Sequence, residues 1–241
     1  MRLLVTRPEP DAEETAARLG TMGHEAILQP MLRVHFAPPP DGLPAPAAIV
    51  ATSRNGVRAL VGWPMAKGWR TVPVFVTGEG IAALAREAGF DDVRPGGADA
   101  ASVADRLTSE FPTGAGPILY VAGRDRTGAL AGGLVALGYD IRVVEAYRAE
   151  PVAALDPDVA AAIACGRIDG ILLFSQRTSA AFVAAVASAG LGDSLAAVPC
   201  YAISPRAAEP LRGAARDIRI AVHPDFDGIA ALIGPGGPKL A

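Results

Sequence analysis

Short, uninterrupted apolar runs alternate with amphipathic stretches along most of this chain of 241 residues. Such runs are typical of strands that are buried on both faces, and the amphipathic stretches carry their apolar residues at helical spacing. Ten runs predict strands: 2–5, 25–28, 47–52, 72–77, 92–94, 117–121, 141–146, 169–174, 198–203 and 218–222. Helices are predicted at 11–22, 55–62, 80–88, 101–110, 126–137, 177–189 and 206–214. Strands that alternate with helices form parallel sheets covered on both faces, so the pattern predicts an α/β fold.

A weak internal repeat divides the ten strands into two groups of five. Three segments recur in order: 3–34 resembles 118–149, 49–60 resembles 171–182, and 72–90 resembles 198–216. Two Pro-containing stretches, 36–46 and 149–158, follow the first segment of each copy. Because proline interrupts helices and central strands, we interpret both stretches as places where the chain crosses between domains.

These crossings predict two doubly wound parallel-sheet domains of about five strands each, joined by a two-stranded hinge over a cleft. The first domain is discontinuous and comprises 1–34 plus 152–233, and the inserted second domain comprises 38–147. Residues 35–37 and 148–151 are the predicted connector, and 234–241 a flexible tail.

Composition excludes several classes of protein. The net charge of −3 argues against a nucleic-acid-binding protein, which is usually strongly basic. Two cysteines cannot form a disulfide framework, and three scattered histidines lack zinc-ligand spacing. No apolar stretch approaches the ~18 residues of a membrane span, and none forms the core of a signal peptide. We therefore expect a cytoplasmic protein that does not bind a membrane.

Hydroxyl groups, small residues and arginines recur just after the predicted strands. In open parallel sheets, ligands bind at the carboxyl ends of the strands, where helix N-termini offer free N–H groups. Arginine adds a donor fork that matches carboxylates. We predict a site for a polyanionic small molecule formed by Arg7, Ser53, Arg54, Thr77, Gly78, Gly123, Arg124, Arg126, Ser175, Gln176, Arg177 and Ser204. Taken singly, each serine or threonine is better explained as a helix N-cap and each arginine as an exposed side chain, whereas the residues taken together favour the site.

The segment Gly78-Glu79-Gly80 allows a second interpretation of the function, dinucleotide binding. It follows a predicted strand and approximates a dinucleotide-binding fingerprint, with Asp99 near the position of a ribose-binding acid. An NAD-linked oxidoreductase is therefore an alternative, and a strand-to-helix turn that needs small residues is the simpler one. A non-catalytic two-domain protein that binds a small polyanionic ligand is another alternative.

Tyr147 ends a predicted strand where the chain enters the second crossing. Its side chain either packs within the hinge or presents a hydroxyl group to the cleft. No histidine lies at a strand end where it could activate Ser53 or Ser175 as a nucleophile.

Five loose motifs, in order and with their spacing, resemble the uroporphyrinogen-III synthase family over nearly the whole chain. They are Leu4-Val5-Thr6-Arg7-Pro8, Leu19 with Gly23-His24-Glu25, Thr52-Ser53 with Val57, Val76-Thr77-Gly78, and Gly138-Tyr139 with Val144 and Tyr147. The chain departs from the family where Ile81 and Ala207 replace two threonines, so no role can be transferred to those positions.

The resemblance implies a cyclising lyase that converts the linear tetrapyrrole hydroxymethylbilane into uroporphyrinogen III with inversion of the last pyrrole ring. It implies a monomer with no metal or organic cofactor, and a substrate with eight carboxylates. It also implies that Tyr147 is catalytic and protonates the leaving hydroxyl group.

Overall fold

The computed structural model describes residues 1–97, 99–126 and 128–235. Its strands are β1 (Arg2–Val5), β2 (Glu25–Leu28), β3 (Leu32–Phe36), β4 (Ala48–Ala51), β5 (Val74–Val76), β6 (Val93–Pro95), β7 (Ile118–Gly123), β8 (Ile141–Pro151), β9 (Gly170–Leu173), β10 (Cys200–Ala202) and β11 (Ile218–Ile220). Its helices are α1 (Asp11–Thr21), α2 (Arg54–Val61), α3 (Gly78–Glu87), α4 (Ala100–Glu110), α5 (Ala129–Ala136), α6 (Pro157–Ala164), α7 (Gln176–Ser188), α8 (Gly192–Ala196), α9 (Pro205–Ala208) and α10 (Phe226–Ile233). Two 3₁₀ segments cover Pro64–Trp69 and Glu209–Leu211.

The strands form two sheets flanked by helices, which confirms the predicted α/β fold. One sheet has five strands in the order β11-β10-β9-β1-β2, and the other has six in the order β3-β8-β7-β4-β5-β6. In each sheet, strands are added first on one side of an inner strand, β1 or β4, and later strands are added on its other side. This is the doubly wound arrangement.

The chain divides into two compact units. The first consists of residues 1–33 together with the chain from Glu150 onward, and the second of Val34–Ala149. Both boundaries fall inside regular strands, β3 and β8, rather than in loops. Of the predicted tail, residues 236–241 lie outside the described residues, whereas Gly234 directly follows α10.

The predicted two-stranded connector is continuous with the second sheet. The predicted connector residues 35–37 and 148–151 lie mostly in β3 and β8, which makes the second sheet six strands wide. The amide of Val152 donates to Met31 and the amide of Ala37 to Ala146, so these two strands run antiparallel. β3 is a short alternation of apolar and polar residues instead of a continuous apolar run, and its partner strand lies more than a hundred residues away.

Both faces of the six-stranded sheet are covered. Successive residues of β4 enter different cores: Ile49 packs with Trp63 of the loop before the 3₁₀ segment, and Val50 packs with Phe75 and Leu107. In the five-stranded sheet, Leu3 and Leu4 are both fully buried, which again requires cover on two faces. The continuous apolar runs of the sequence follow from this double burial.

Helix ends differ from the predictions in a few places. The predicted helix 206–214 ends after α9 at Ala208, and the chain continues as a 3₁₀ turn that contains Pro210. The sequence pattern missed α6, α8 and α10. None of the helices in the described part of the chain has the length and apolar character needed to cross a membrane.

Candidate functional site

The carboxyl ends of β7, β4 and β5, with the adjacent middle part of β8, bring together predicted site residues of the second unit. Ser53, Thr77 and Gly123 lie at the ends of β4, β5 and β7, and Tyr147 lies in β8 opposite Gly123. Parallel pairing aligns these ends at one edge of the sheet, so residues far apart in the sequence become neighbours.

The hydroxyl groups of Ser53 and Tyr147 form the central contact of this group. Ser53 Oγ and the Tyr147 hydroxyl lie 2.8 Å apart, and either can be the donor. Ser53 is also the N-cap of α2, since its Oγ accepts a hydrogen bond from the Gly56 amide at 3.0 Å. Ser53 is therefore a helix cap, and the same oxygen atom also contacts the Tyr147 hydroxyl group.

A second pair of hydroxyl groups includes that of Thr52, the residue before Ser53. Thr52 Oγ1 and the Tyr120 hydroxyl are 3.1 Å apart, and Thr77 Oγ1 donates to the Thr52 carbonyl at 3.1 Å. Thr77 therefore links β5 to β4 instead of capping α3. Sequence reasoning missed Tyr120, because its only signal is a polar atom within an apolar strand.

In the structure, the acidic residue proposed for the NAD-linked alternative, Asp99, has another role. Asp99 is the N-cap of α4 and accepts hydrogen bonds from the backbone amide and the hydroxyl group of Ser102. These bonds, the backbone one first, lower the pKa of Asp99. Gly78 has a φ of +64°, so the glycine at this strand-to-helix junction has a conformational reason.

Three arginines follow strands of the second unit that carry or precede these hydroxyl groups. Arg54 is the first residue of α2 and is partly buried. Arg124 and Arg126 follow β7 and are exposed; Arg124 Nε donates to Glu145 at 2.9 Å, and Arg126 Nη1 donates to the Gly123 carbonyl at 3.1 Å. Exposed ion pairs of this kind contribute little to stability, so Arg124 can exchange its partner for a ligand carboxylate at small cost.

The first unit has a similar group of polar side chains after β1, β9 and β10, which are also adjacent strands. Ser175 caps α7 and Ser204 caps α9, through hydrogen bonds from the Thr178 and Ala207 amides. The Gln176 side-chain amide donates to Glu209 and accepts from Arg206.

The two arginines of this set differ in environment. Arg177 is an exposed residue of the first turn of α7. Arg7 is partly buried; its guanidinium lies 4.5 Å from the Phe174 ring centre and 3.5 Å from an Asp11 carboxylate oxygen. The charge of Arg7 is therefore largely matched inside its own unit.

The two departures from the family pattern have simple structural settings. Ile81 lies in the first turn of α3 and packs against the core of the second unit. Ala207 is almost fully buried beside Ala202 and Ala208. Neither position presents a hydroxyl group to the strand ends.

Two doubly wound α/β units, with hydroxyl and guanidinium groups at their strand ends, are typical of two-domain α/β proteins whose ligands bind at such ends. The family model described as "Uroporphyrinogen-III synthase HemD" matches residues 13–231. The chain therefore belongs to the uroporphyrinogen-III synthase family, whose members are cyclising lyases of tetrapyrrole biosynthesis.

Solved structures support the same fold. The uroporphyrinogen-III synthetase of Helicobacter pylori 26695 superposes with a TM-score of 0.63 at 16% identity, covering 97% of this chain and 98% of that one. A mutant uroporphyrinogen-III synthase of the extreme thermophile Thermus thermophilus gives 0.54 at 17% identity, with 97% of each chain covered. No curated protein matches the sequence significantly.

Proposed function

We propose that the protein cyclises hydroxymethylbilane to uroporphyrinogen III, with Tyr147 as the proton donor. The observation that carries the proposal is the Tyr147 hydroxyl at the strand ends, 2.8 Å from Ser53 Oγ, in a chain of this family. The sequence alternatives are not favoured, since Asp99 is a helix cap and the family is enzymatic.

The reaction starts with loss of the terminal hydroxyl group of the bilane. Tyr147 donates its proton to that hydroxyl group, which leaves as water, and the electron-rich pyrrole becomes a protonated azafulvene, the azafulvenium cation. A phenol has a reference pKa of about 10 and is therefore protonated at neutral pH.

Ring inversion follows from which carbon attacks. The last pyrrole attacks the azafulvene through its substituted carbon and forms a spiro intermediate, which breaks and recloses with that ring reversed. The proton released at closure restores the phenol, so the net change is loss of one water. The protein contributes mainly by holding the flexible chain in the spiro-forming conformation.

We propose that substrate carboxylates bind where arginines and helix N-termini lie at strand ends. Arg54, Arg124, Arg126 and Arg177 offer guanidinium donors there, and the N-termini of α2 and α7 offer backbone N–H groups and a positive dipole. Such contacts need no metal or organic cofactor, and the pyrrole itself supplies the electrons for hydroxide loss.

The isomer of the product tests the proposed function. Hydroxymethylbilane closes spontaneously to the type I isomer, whereas type III requires the enzyme. We expect the purified protein to give type III, measured by separation of the oxidised porphyrins. Type I alone, at the rate of the buffer control, would refute the proposal.

Replacing Arg54 or Arg177 with Ala is expected to raise KM about tenfold at low salt, because each removes one charge-assisted contact to a carboxylate. The difference from the parent should shrink as ionic strength rises, since salt screens these contacts. Steady-state kinetics at two salt concentrations measures both effects.

Arg142→Ala is the matched control for these arginine variants. Arg142 is 59% exposed and lies near the start of β8, at the opposite end of the sheet, where it pairs with Asp140. An equal rise in KM for this variant would mean that net charge, rather than the strand ends, attracts the substrate.

We also propose that the enzyme acts as a monomer in the cytoplasm. Cys165 and Cys200 are both free thiols, which suits a reducing compartment, and burial raises the pKa of Cys200 to about 12. Light scattering of the purified protein tests the oligomeric state.

A further inference from the structure

We infer that Gly123 is a positioning residue for the reaction, because only a residue without a side chain leaves room for the Tyr147 ring across the end of β7. The inference rests on the proposed function, in which Tyr147 donates the proton. It assigns the placement of that hydroxyl group to three features: a glycine, a bulge and a helix cap.

The missing side chain of Gly123 is the first feature. A Cβ atom built on Gly123 would lie 2.6 Å from Tyr147 Cζ and 2.8 Å from its hydroxyl oxygen. Carbon atoms in contact stay about 3.5–4.0 Å apart, so even alanine would push the ring away. Gly123 is not among the glycines with positive φ, so the space and not the backbone conformation requires glycine here.

The bulge between β7 and β8 is the second feature. Ala122 pairs with Glu145, but the next residue, Gly123, pairs with Tyr147, so the register shifts by one residue. The Arg124 amide donates to the Tyr147 carbonyl at 2.9 Å and closes the ladder after the shift. A bulge re-aims the side chain that follows it, and this one brings Tyr147 opposite the glycine.

The cap of α2 is the third feature. One lone pair of Ser53 Oγ accepts the Gly56 amide, which fixes the oxygen at the start of the helix. When Ser53 donates its own proton to the Tyr147 oxygen, this bond does not use the phenol proton, which can then pass to the substrate. The same bond stabilises the phenolate that remains after proton transfer, and the dipole of α2 adds to this effect.

A double-mutant cycle between Gly123→Ala and Tyr147→Phe tests the inference. Phenylalanine keeps the ring atoms that the new Cβ would meet, so the stability cost of Gly123→Ala should be similar in both backgrounds. The activity cost should differ: about 10²-fold in kcat where the hydroxyl group is present, and little where it is already lost. KM should change little, because the carboxylate contacts remain.

Gly132→Ala is the matched control for the added methyl group. Gly132 lies in α5, the helix that follows β7 in the chain, and a Cβ atom there would meet nothing within 4 Å. Its kcat and melting temperature should equal or exceed those of the parent.

Ser53→Ala probes the same geometry without added bulk. It should lower kcat in the parent and have little further effect in the Tyr147→Phe background. Because it also removes a helix cap, Asp99→Ala serves as its control: this variant loses the cap of α4 in the same unit and should keep the parental kcat.

The outcomes separate the inference from the proposal beneath it. If Tyr147→Phe is slow but Gly123→Ala turns over like the parent, or if the two losses multiply, the positioning role of Gly123 is refuted. If Tyr147→Phe keeps the parental rate, Tyr147 is not the proton donor, and the positioning role of Gly123 is refuted with it. If the parent forms no type III isomer, the proposed function itself fails.

Discussion

Tyr147→Phe is expected to lower kcat by about 10²–10⁴-fold, the usual contribution of a general acid. The substitution keeps the ring, its packing and the bulge, and removes only the hydroxyl group and its bond to Ser53. Single-turnover measurement of type III formation gives the rate of the chemical step, and thermal unfolding should shift by only a few degrees.

Tyr139→Phe provides the contrasting control. The Tyr139 hydroxyl is buried in the same unit and donates to the Phe111 carbonyl at 2.7 Å, away from the strand ends. Its loss should reduce stability and leave kcat unchanged. A drop of less than about tenfold for Tyr147→Phe would instead mean that positioning of the bilane supplies most of the rate.

The second large effect is expected from the two cores. Phe75 and Phe182 are fully buried, the first in the second unit and the second in the first unit. Truncation of either to Ala should lower the free energy of unfolding by about 3–5 kcal/mol, since each leaves a cavity in a packed core.

We propose that the two units unfold separately, as expected for a discontinuous domain with an inserted one. Phe75→Ala should then lower one calorimetric transition by about 10 °C or more, and Phe182→Ala the other. A single transition lowered equally by both substitutions would contradict separate unfolding of the two units. Expressing Val34–Ala149, which keeps most of β8 and of β3, beside the predicted fragment 38–147 tests whether β3 is needed for folding.

Sequence patterns locate most of the elements that carry the site. β1, β4, β7 and β9 are apolar runs buried on both faces, and Ser53 and Ser175 mark the helices that follow two of them. Since parallel strands place their carboxyl ends at one edge, the order of strands and helices is enough to predict which turns meet. Ser53, Thr77, Gly123 and Tyr147 gather for that reason.

Other parts of the site depend on contacts that no local pattern contains. β3 is an alternating segment of only five residues and obtains its hydrogen bonds from β8, far away in sequence. The bulge opposite Gly123 depends on how β7 and β8 pair. Tyr120 looks like any strand residue until the Thr52 hydroxyl is found beside it.

The sequence by itself determined the α/β class, the twofold repeat of segments and the residue types at the strand ends. It did so because double burial, helical periodicity and turn chemistry are all local properties of the chain. Only the tertiary structure decided that the Tyr147 hydroxyl lies 2.8 Å from Ser53 and that Gly123 leaves the space for it. Both depend on the register between strands that are distant in sequence, and register is set by the packing of the whole sheet.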